Sequence, residues 1–197
     1  MGNLGFLTRV KADELFDELS AIVSGQIHSE KRFTLQVFVK GPSHKNGITF
    51  QAVNDFVIHR EDLTRFLTVT AKVDDEELST FAGDGLIVAS PTGSTAYSMG
   101  AGGPLIYPTM EAMTLTPICP HTIFSKPLVI PSHFRVTINI SPDHPERKAR
   151  LVGDGQQRIE ITEGDVIEIT RSEAELMLVS SSKRSYFGIL KEKFGII

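Results

Sequence analysis

The segment from Asp84 to Pro108 constrains this chain more than any other, because glycine and hydroxyl residues dominate it. Six of the sixteen glycines fall between residues 83 and 103. Six hydroxyl side chains stand among them: Ser90, Thr92, Ser94, Thr95, Tyr97 and Ser98. Glycine lets the backbone approach a ligand closely, and hydroxyl groups both donate and accept hydrogen bonds. The segment therefore predicts a loop that holds a flat, polar, neutral group such as a purine or a sugar.

The same loop is poorly suited to neutralise a triphosphate, since no Lys or Arg occurs from Val73 to Ser125. A P-loop ends in Gly-Lys-Ser/Thr, whereas Gly93-Ser94-Thr95 has no lysine. A dinucleotide fingerprint needs a third glycine, which Gly83-Asp84-Gly85 lacks. The run Ala96–Gly100 is one residue short of a hydrolase nucleophile elbow. A serine hydrolase that uses Ser98 is therefore an alternative.

Alternation of apolar and polar residues predicts half-buried antiparallel strands along much of the chain. An acidic turn after Val73 predicts a hairpin over 66–81. The turn Glu163-Gly164-Asp165 predicts a second hairpin, between 158–162 and 166–170. Further strands are expected at 32–40, 48–59, 86–89, 134–140, 148–153 and 175–180.

Helices are predicted near both ends. Residues 11–25 place five apolar side chains on one helical face, with Gly25 where a C-terminal cap belongs. Ser185–Phe194 predicts a short amphipathic helix, and Thr95–Gly100 is a further place where a helix can start. The whole pattern predicts a mainly β chain with flanking helices (α+β), built as a two-layer antiparallel β-sandwich-like domain.

Composition excludes several classes of protein. The chain has 197 residues, of which 41% are hydrophobic and 22% charged, and this is typical of one sizeable globular core. A net charge of −4 argues against nucleic acid as a partner, and no apolar run is long enough to span a bilayer. The single cysteine, Cys119, fits a reducing compartment, so we expect a cytoplasmic protein. Cys119 and His121 have no second pair to complete a metal site.

Two acidic positions are candidates for ligand contact. Asn54-Asp55 interrupts the apolar segment Ile48–His59, because Asn and Asp are depleted in strand interiors. The pair is either a bulge or strand end, or a polar pair at a sheet edge that accepts hydrogen bonds from sugar hydroxyls. Asp84 stands between two glycines, where a turn residue is the ordinary interpretation.

Several segments taken together resemble the NAD kinase family. They occur in the order found in that family, and the run Pro91–Ser98 (PTGSTAYS) is the most specific of them. The matching segments are Asn3–Thr8, Asn54-Asp55, Asp84–Leu86, Thr92–Ser98, Ala101–Pro104, Ile118–Thr122 and Asp154–Gln156.

The resemblance implies an enzyme that transfers a phosphoryl group from ATP, or from polyphosphate in some members, to the adenosine ribose 2′-hydroxyl of NAD. NADP is the product, and a divalent metal such as Mg²⁺ accompanies ATP, with no metal ligands expected in this chain. The resemblance also implies a homodimer or homotetramer. It places six residues around the adenosine half of NAD: Phe6, Asn54, Asp55, Thr95, Ala96 and Tyr97. It places Asp84 and the Asp154-Gly155 turn near the nicotinamide half, and Thr92 shapes the loop.

One departure from the family pattern bears on catalysis. The catalytic aspartate of the family lies in a Gly-Gly-Asp-Gly motif of an N-terminal α/β domain, before the segment that Asn3–Thr8 matches; Gly83-Asp84-Gly85 belongs to the later loop. We therefore expect residues 1–8 to be a remnant of the α/β domain. Residues 9–183 would form the NAD-binding and oligomerisation domain, and 184–197 a helix that packs on the missing domain. The chain would bind the dinucleotide without being active alone, and a non-catalytic regulatory module is the second alternative.

Overall fold

A computed structural model of the chain describes residues 14–26, 28–62, 66–122, 126–142, 149–180 and 185–195. The chain divides into two compact units. One unit is Phe33–Leu176, and the other consists of the two ends of the chain, up to Arg32 and from Met177. The predicted domain boundaries after residues 8 and 183 lie outside the described residues and stay predictions.

Within the described residues the chain forms twelve strands and three α-helices. The helices are α1 (Leu15–Val23), α2 (Tyr97–Gly100) and α3 (Tyr186–Phe194). The strands are β1 (His28–Lys40), β2 (Ile48–Ala52), β3 (Asp55–Arg60), β4 (Leu67–Val73), β5 (Glu76–Gly83), β6 (Gly85–Ala89), β7 (Ala112–Ile118), β8 (Leu128–Pro131), β9 (Val136–Pro142), β10 (Ala149–Gly153), β11 (Gln157–Ile161) and β12 (Val166–Ser180).

The strands make two six-stranded sheets, in the orders β2-β1-β12-β9-β4-β5 and β11-β10-β3-β6-β7-β8. A single cluster of buried apolar side chains takes members from both sheets, as face-to-face packing requires. Alternation along a strand turns every second side chain towards this cluster. In β4, Leu67, Val69 and Ala71 are buried, and the residues between them are only partly buried. The mainly antiparallel, two-layer fold predicted from the sequence is confirmed.

The hairpin predicted over 66–81 is present, whereas the hairpin predicted between 158–162 and 166–170 is wrong. Strands β4 and β5 pair through a tight turn in which Asp74 has a φ of 51°. Strands β11 and β12, however, belong to different sheets, so the turn Glu163–Asp165 connects the two layers. Strand β11 pairs instead with β10. The two strands expected at 166–170 and 175–180 are a single strand, β12.

The predicted helices are observed with adjusted bounds. Helix α1 covers part of the predicted range 11–25, of which residues 11–13 lie outside the described part of the chain. Helix α3 begins after Ser185, whose Oγ accepts a hydrogen bond from the Gly188 amide at 3.1 Å, and ends at Gly195 with a φ of 61°. Among the residues that the structure describes, no helix has the length and apolar character needed to cross a membrane.

Candidate functional site

A cleft of about 530 Å³ lies on the sheet that contains β3 and β10. Alternate residues of β3 line it because side chains two positions apart project from the same face of a strand. Strand β10, the β10–β11 turn and helix α2 complete the wall. The lining residues are Asp55, Val57, His59, Glu61, Tyr97, Arg150, Val152, Gly155 and Arg158.

The turn between β2 and β3 leads through Asn54 to Asp55, which lines the cleft. The carboxylate of Asp154 accepts hydrogen bonds from the backbone amides of this turn: from Val53 and Asn54 at 2.7 Å each, and from Asp55 at 3.3 Å. The Asp154 amide donates in return to the Asp55 carbonyl oxygen at 3.1 Å. The pair therefore stands at the start of β3, as the strand-end alternative predicts, in a turn that Asp154 closes, and β3 lies between β10 and β6 inside its sheet.

The Asp55 carboxyl group has unusual electrostatics. Asp55 is only 5% exposed. Burial, together with the negative charge of Asp154, raises its pKa from 3.8 to about 6, and burial is the larger of the two causes. At neutral pH most of this group is ionised yet poorly hydrated. It is therefore a strong acceptor for a ligand hydroxyl, since a charged hydrogen bond is about twice as strong as a neutral one.

The glycine-hydroxyl loop packs directly on the turn that carries Asp55. Ser90 donates from its amide to the Asn54 carbonyl oxygen at 2.9 Å and from its hydroxyl to the Val53 carbonyl oxygen at 2.7 Å. Gly93 is required here, because an added Cβ would lie 2.8 Å from the Cα of Asn54 and closer still to its carbonyl group. The loop and the turn are thus one assembly.

Much of the hydroxyl cluster serves the loop itself. The Ser94 hydroxyl donates to the Pro91 carbonyl oxygen at 2.7 Å and accepts from the Ile106 amide at 3.0 Å. Ser98 is fully buried, and its hydroxyl shares a hydrogen bond of 3.0 Å with Thr116 on β7. A substrate cannot reach Ser98, and its partners are threonine hydroxyls instead of a histidine base. The geometry therefore removes the support for a serine hydrolase.

Helix α2 begins where the loop reaches the surface. A short 3-10 turn, Gly93–Thr95, precedes it, so the helix that could start at Thr95 starts two residues later, at Tyr97. Thr95 and Ala96 are half-buried, and Tyr97, 51% exposed, lines the cleft. Thr92 is buried, and its hydroxyl has no hydrogen-bond partner within the part of the chain that the structure describes.

Asp84 lies at the opposite end of β3 from Asp55. Its carboxylate pairs with the Arg60 guanidinium at 2.7 Å, and its carbonyl oxygen accepts from the Arg60 amide at 3.0 Å. Five residues of strand separate Asp55 from Arg60, or about 17 Å. The structure therefore does not bring Asp84 and Asp154 together in one chain. Phe6, also predicted at the site, lies outside the described residues.

Sequence reasoning missed four polar residues of the cleft. His59 follows Asp55 on the same face of β3, Glu61 comes directly after the strand, and Arg150 of β10 forms an ion pair with Glu61. Arg158 stands beside the β10–β11 turn. The alternating pattern of β3 was visible in the sequence, but the identity of the strand that pairs with it was not. Across the described ranges, no group of three or more His, Cys, Asp or Glu side chains could hold a metal ion.

The fold and the cleft define a class: a two-layer β domain whose ligand site is formed by a glycine-rich loop packed against a strand-end carboxylate. Comparison with known proteins identifies the member of that class. The family described as the ATP-NAD kinase C-terminal domain matches residues 53–181, and this chain belongs to that family.

Similar proteins carry the same name. The chain is 38% identical over 193 residues to the NAD kinase of Moorella thermoacetica, covering 98% of this chain and 61% of that protein. It is 36% identical over 193 residues to the NAD kinase of Magnetococcus marinus, covering 98% of this chain and 63% of that protein. The chain thus spans about three fifths of the length of these curated relatives.

Two solved structures share the fold. A yeast NADH kinase complexed with NADH superimposes with a TM-score of 0.92 at 26% identity, over 99% of this chain and 58% of that one. An NAD kinase from Archaeoglobus fulgidus in complex with ATP gives a TM-score of 0.77 at 26% identity, over 99% of this chain and 70% of that one.

Proposed function

We propose that this chain is the dinucleotide-binding part of an NAD kinase, an enzyme that transfers a phosphoryl group from ATP to the adenosine ribose 2′-hydroxyl of NAD. The observation that carries the proposal is the pairing, in one cleft, of the poorly hydrated Asp55 carboxylate with the exposed Tyr97 ring. The names of the relatives and the NADH and ATP bound to the two solved structures support it.

In this proposal the adenosine half of the dinucleotide occupies the cleft. The Tyr97 ring stacks on adenine, since aromatic side chains bind any base by its flat face. The backbone and side chains of Thr95 and Ala96 lie beside the base edge. The Asp55 carboxylate accepts a hydrogen bond from a ribose hydroxyl, with the Asn54 amide next to it. Arg158 at the wall of the cleft attracts the diphosphate.

Phosphoryl transfer forms a bond between the ribose 2′-oxygen and the γ-phosphorus of ATP and breaks the bond from that phosphorus to ADP. The proton of the hydroxyl must go to a base. By the family pattern this base is the aspartate of a Gly-Gly-Asp-Gly segment, which the 197 residues do not contain. Asp55 therefore orients the hydroxyl, and MgATP, or polyphosphate, is a substrate held elsewhere. We expect this polypeptide to bind NAD or NADP and not to turn it over.

Assembly and location complete the proposal. We expect a cytoplasmic homodimer or homotetramer, as the family pattern implies. Asp84, about 17 Å of strand away from Asp55, would then serve the ligand of a neighbouring subunit. Sedimentation that shows a monomer at all concentrations would contradict this arrangement.

Calorimetry with NADP tests the binding site. Tyr97→Ala should weaken the affinity about tenfold, since stacking on an aromatic ring is worth about 1–3 kcal/mol per base. Tyr107→Ala is the matched control, because Tyr107 is 42% exposed and does not line the cleft. No heat of binding at millimolar NADP, or an equal loss in both variants, would refute the site.

A further inference from the structure

We propose that Asp154 is a positioning residue of the nucleotide site: its carboxylate holds the turn Val53–Asp55 so that the Asp55 carboxylate points into the cleft. This proposal rests on the proposed function and changes the role expected for Asp154, which was contact with the dinucleotide. The distinction matters because a residue that touches the ligand and one that positions another residue respond differently to substitution.

Backbone amides already occupy both oxygens of the Asp154 carboxylate. Oδ1 accepts from the Asn54 amide at 2.7 Å and from the Asp55 amide at 3.3 Å, and Oδ2 accepts from the Val53 amide at 2.7 Å. A carboxylate that receives three amide hydrogen bonds retains little capacity for a ligand. Its three donors lie about one hundred residues earlier in the chain, so the contact fixes one turn against another.

The backbone of Asp154 completes the arrangement. Its φ is 49°, in the left-handed region that Asp and Asn tolerate better than most residues. Its amide donates to the Asp55 carbonyl oxygen at 3.1 Å, so four hydrogen bonds join the two turns. From the other side, Ser90 donates to the carbonyl oxygens of Val53 and Asn54. The peptide groups that precede Asp55 are therefore held from two directions, which fixes where its side chain begins.

Asp154 also acts on Asp55 through its charge. The ionisable groups that share the cleft with Asp55 are His59 on its own strand, Glu61 directly after that strand, Arg150 on β10, Arg158 on β11 and Tyr97 on α2. After burial, the charge that raises the pKa of Asp55 is that of Asp154. A neutral hydrogen-bond acceptor at this position would not have this second effect, so the titration of Asp55 reports whether the ionised Asp154 carboxylate lies beside it.

The test compares Asp154→Asn with Asp165→Asn. Asparagine tolerates the left-handed backbone at position 154. It carries no negative charge, and its NH₂ group is a donor that would face one of the three backbone amide donors. Asp165 is a matched control, because it is fully buried and its carboxylate also accepts backbone amides, from Ser43 at 3.0 Å and Thr162 at 2.9 Å. It does not line the cleft.

Two measurements read out the role. By carbon-detected NMR, the Asp55 carboxyl should titrate near pH 6 in the wild type and in Asp165→Asn, and at a lower pH in Asp154→Asn. At pH 8, Asp154→Asn should bind NADP about tenfold more weakly, as expected when a charged hydrogen bond is misaligned, and Asp165→Asn within twofold of wild type.

The outcomes test the proposed function and the positioning role of Asp154 separately. If Asp154→Asn matches Asp165→Asn in the Asp55 titration and in NADP affinity, the positioning role is refuted. If the wild type binds no NADP, the proposed function fails, and the Asp55 titration alone decides the role of Asp154. If Asp154→Asn does not fold, the unmodified protein still gives the answer. The amide protons of Val53 and Asn54 should exchange slowly with solvent because they are hydrogen-bonded to the Asp154 carboxylate, and rapid exchange of both would overturn the proposal.

Discussion

Replacing Asp55 with asparagine should stabilise the protein at neutral pH while weakening nucleotide binding. Asp55 is 5% exposed, and its pKa is raised from 3.8 to about 6. A shift of one pKa unit corresponds to about 1.4 kcal/mol, so the ionised carboxylate costs the native state at most about 3 kcal/mol at pH 8. Asparagine has nearly the same shape and carries no charge, so the variant avoids this cost.

The pH dependence has a definite sign. Between pH 3.8 and about 6 the native state retains a proton that the unfolded state has lost. The free energy of unfolding of the wild type therefore falls as the pH rises through this window, and the contribution is constant above it. Asparagine does not titrate. The stability of Asp55→Asn relative to wild type should then increase by about 1.4 kcal/mol between pH 5 and pH 8.

Urea unfolding of both proteins at pH 5, 6, 7 and 8, followed by circular dichroism, measures this difference. Subtracting the two curves removes the titration of all other groups, provided that both unfold in two states. If the difference in the free energy of unfolding between the two proteins stays constant over this range, or changes in favour of the wild type as the pH rises, the electrostatic account of Asp55 is refuted.

Two further substitutions test the loop. Gly93→Ala should destabilise the protein by about 1–3 kcal/mol, because the added methyl group overlaps the backbone of the preceding turn, whereas Gly100→Ala meets no atom within 4 Å and should be neutral in thermal unfolding. Ser98→Ala should cost about 1–3 kcal/mol by leaving buried hydroxyls short of a partner. A fluorophosphonate should label neither the wild type nor this variant, and labelling that is lost on substitution would revive the hydrolase.

The fold was predictable from the sequence because alternation is a local property. The stretch Leu67–Val73 shows its inward face without reference to any partner. The connection from β11 to β12 was not predictable in the same way. The turn Glu163–Asp165 has hairpin composition, but the carboxylate of Asp165 accepts the Ser43 amide from a distant part of the chain, and no local pattern indicates this. Turn composition predicts a reversal of the chain and does not say which sheet follows.

The candidate site was predictable only in part. Asp55 could be singled out because an acidic residue within an apolar strand is unusual by itself, whereas Tyr97 was placed at the site by the family resemblance of its hydroxyl-rich loop. The role of Asp154 was not visible, since an Asp-Gly turn has the same sequence whether its carboxylate faces a ligand or distant amides. Arg150 was missed because its position in the cleft depends on the pairing of β10 with β3.

The most direct test of the central claim is a map of amide shifts in the isotope-labelled chain during titration with NADP, with its adenosine half, and with nicotinamide mononucleotide. If the cleft holds adenosine, NADP and the adenosine half should shift the same signals, centred on Asp55 and Tyr97, and the mononucleotide should leave them in place. Shifts that the mononucleotide reproduces, or that centre on the cleft between the sheets near Phe81 and Leu128, would contradict it.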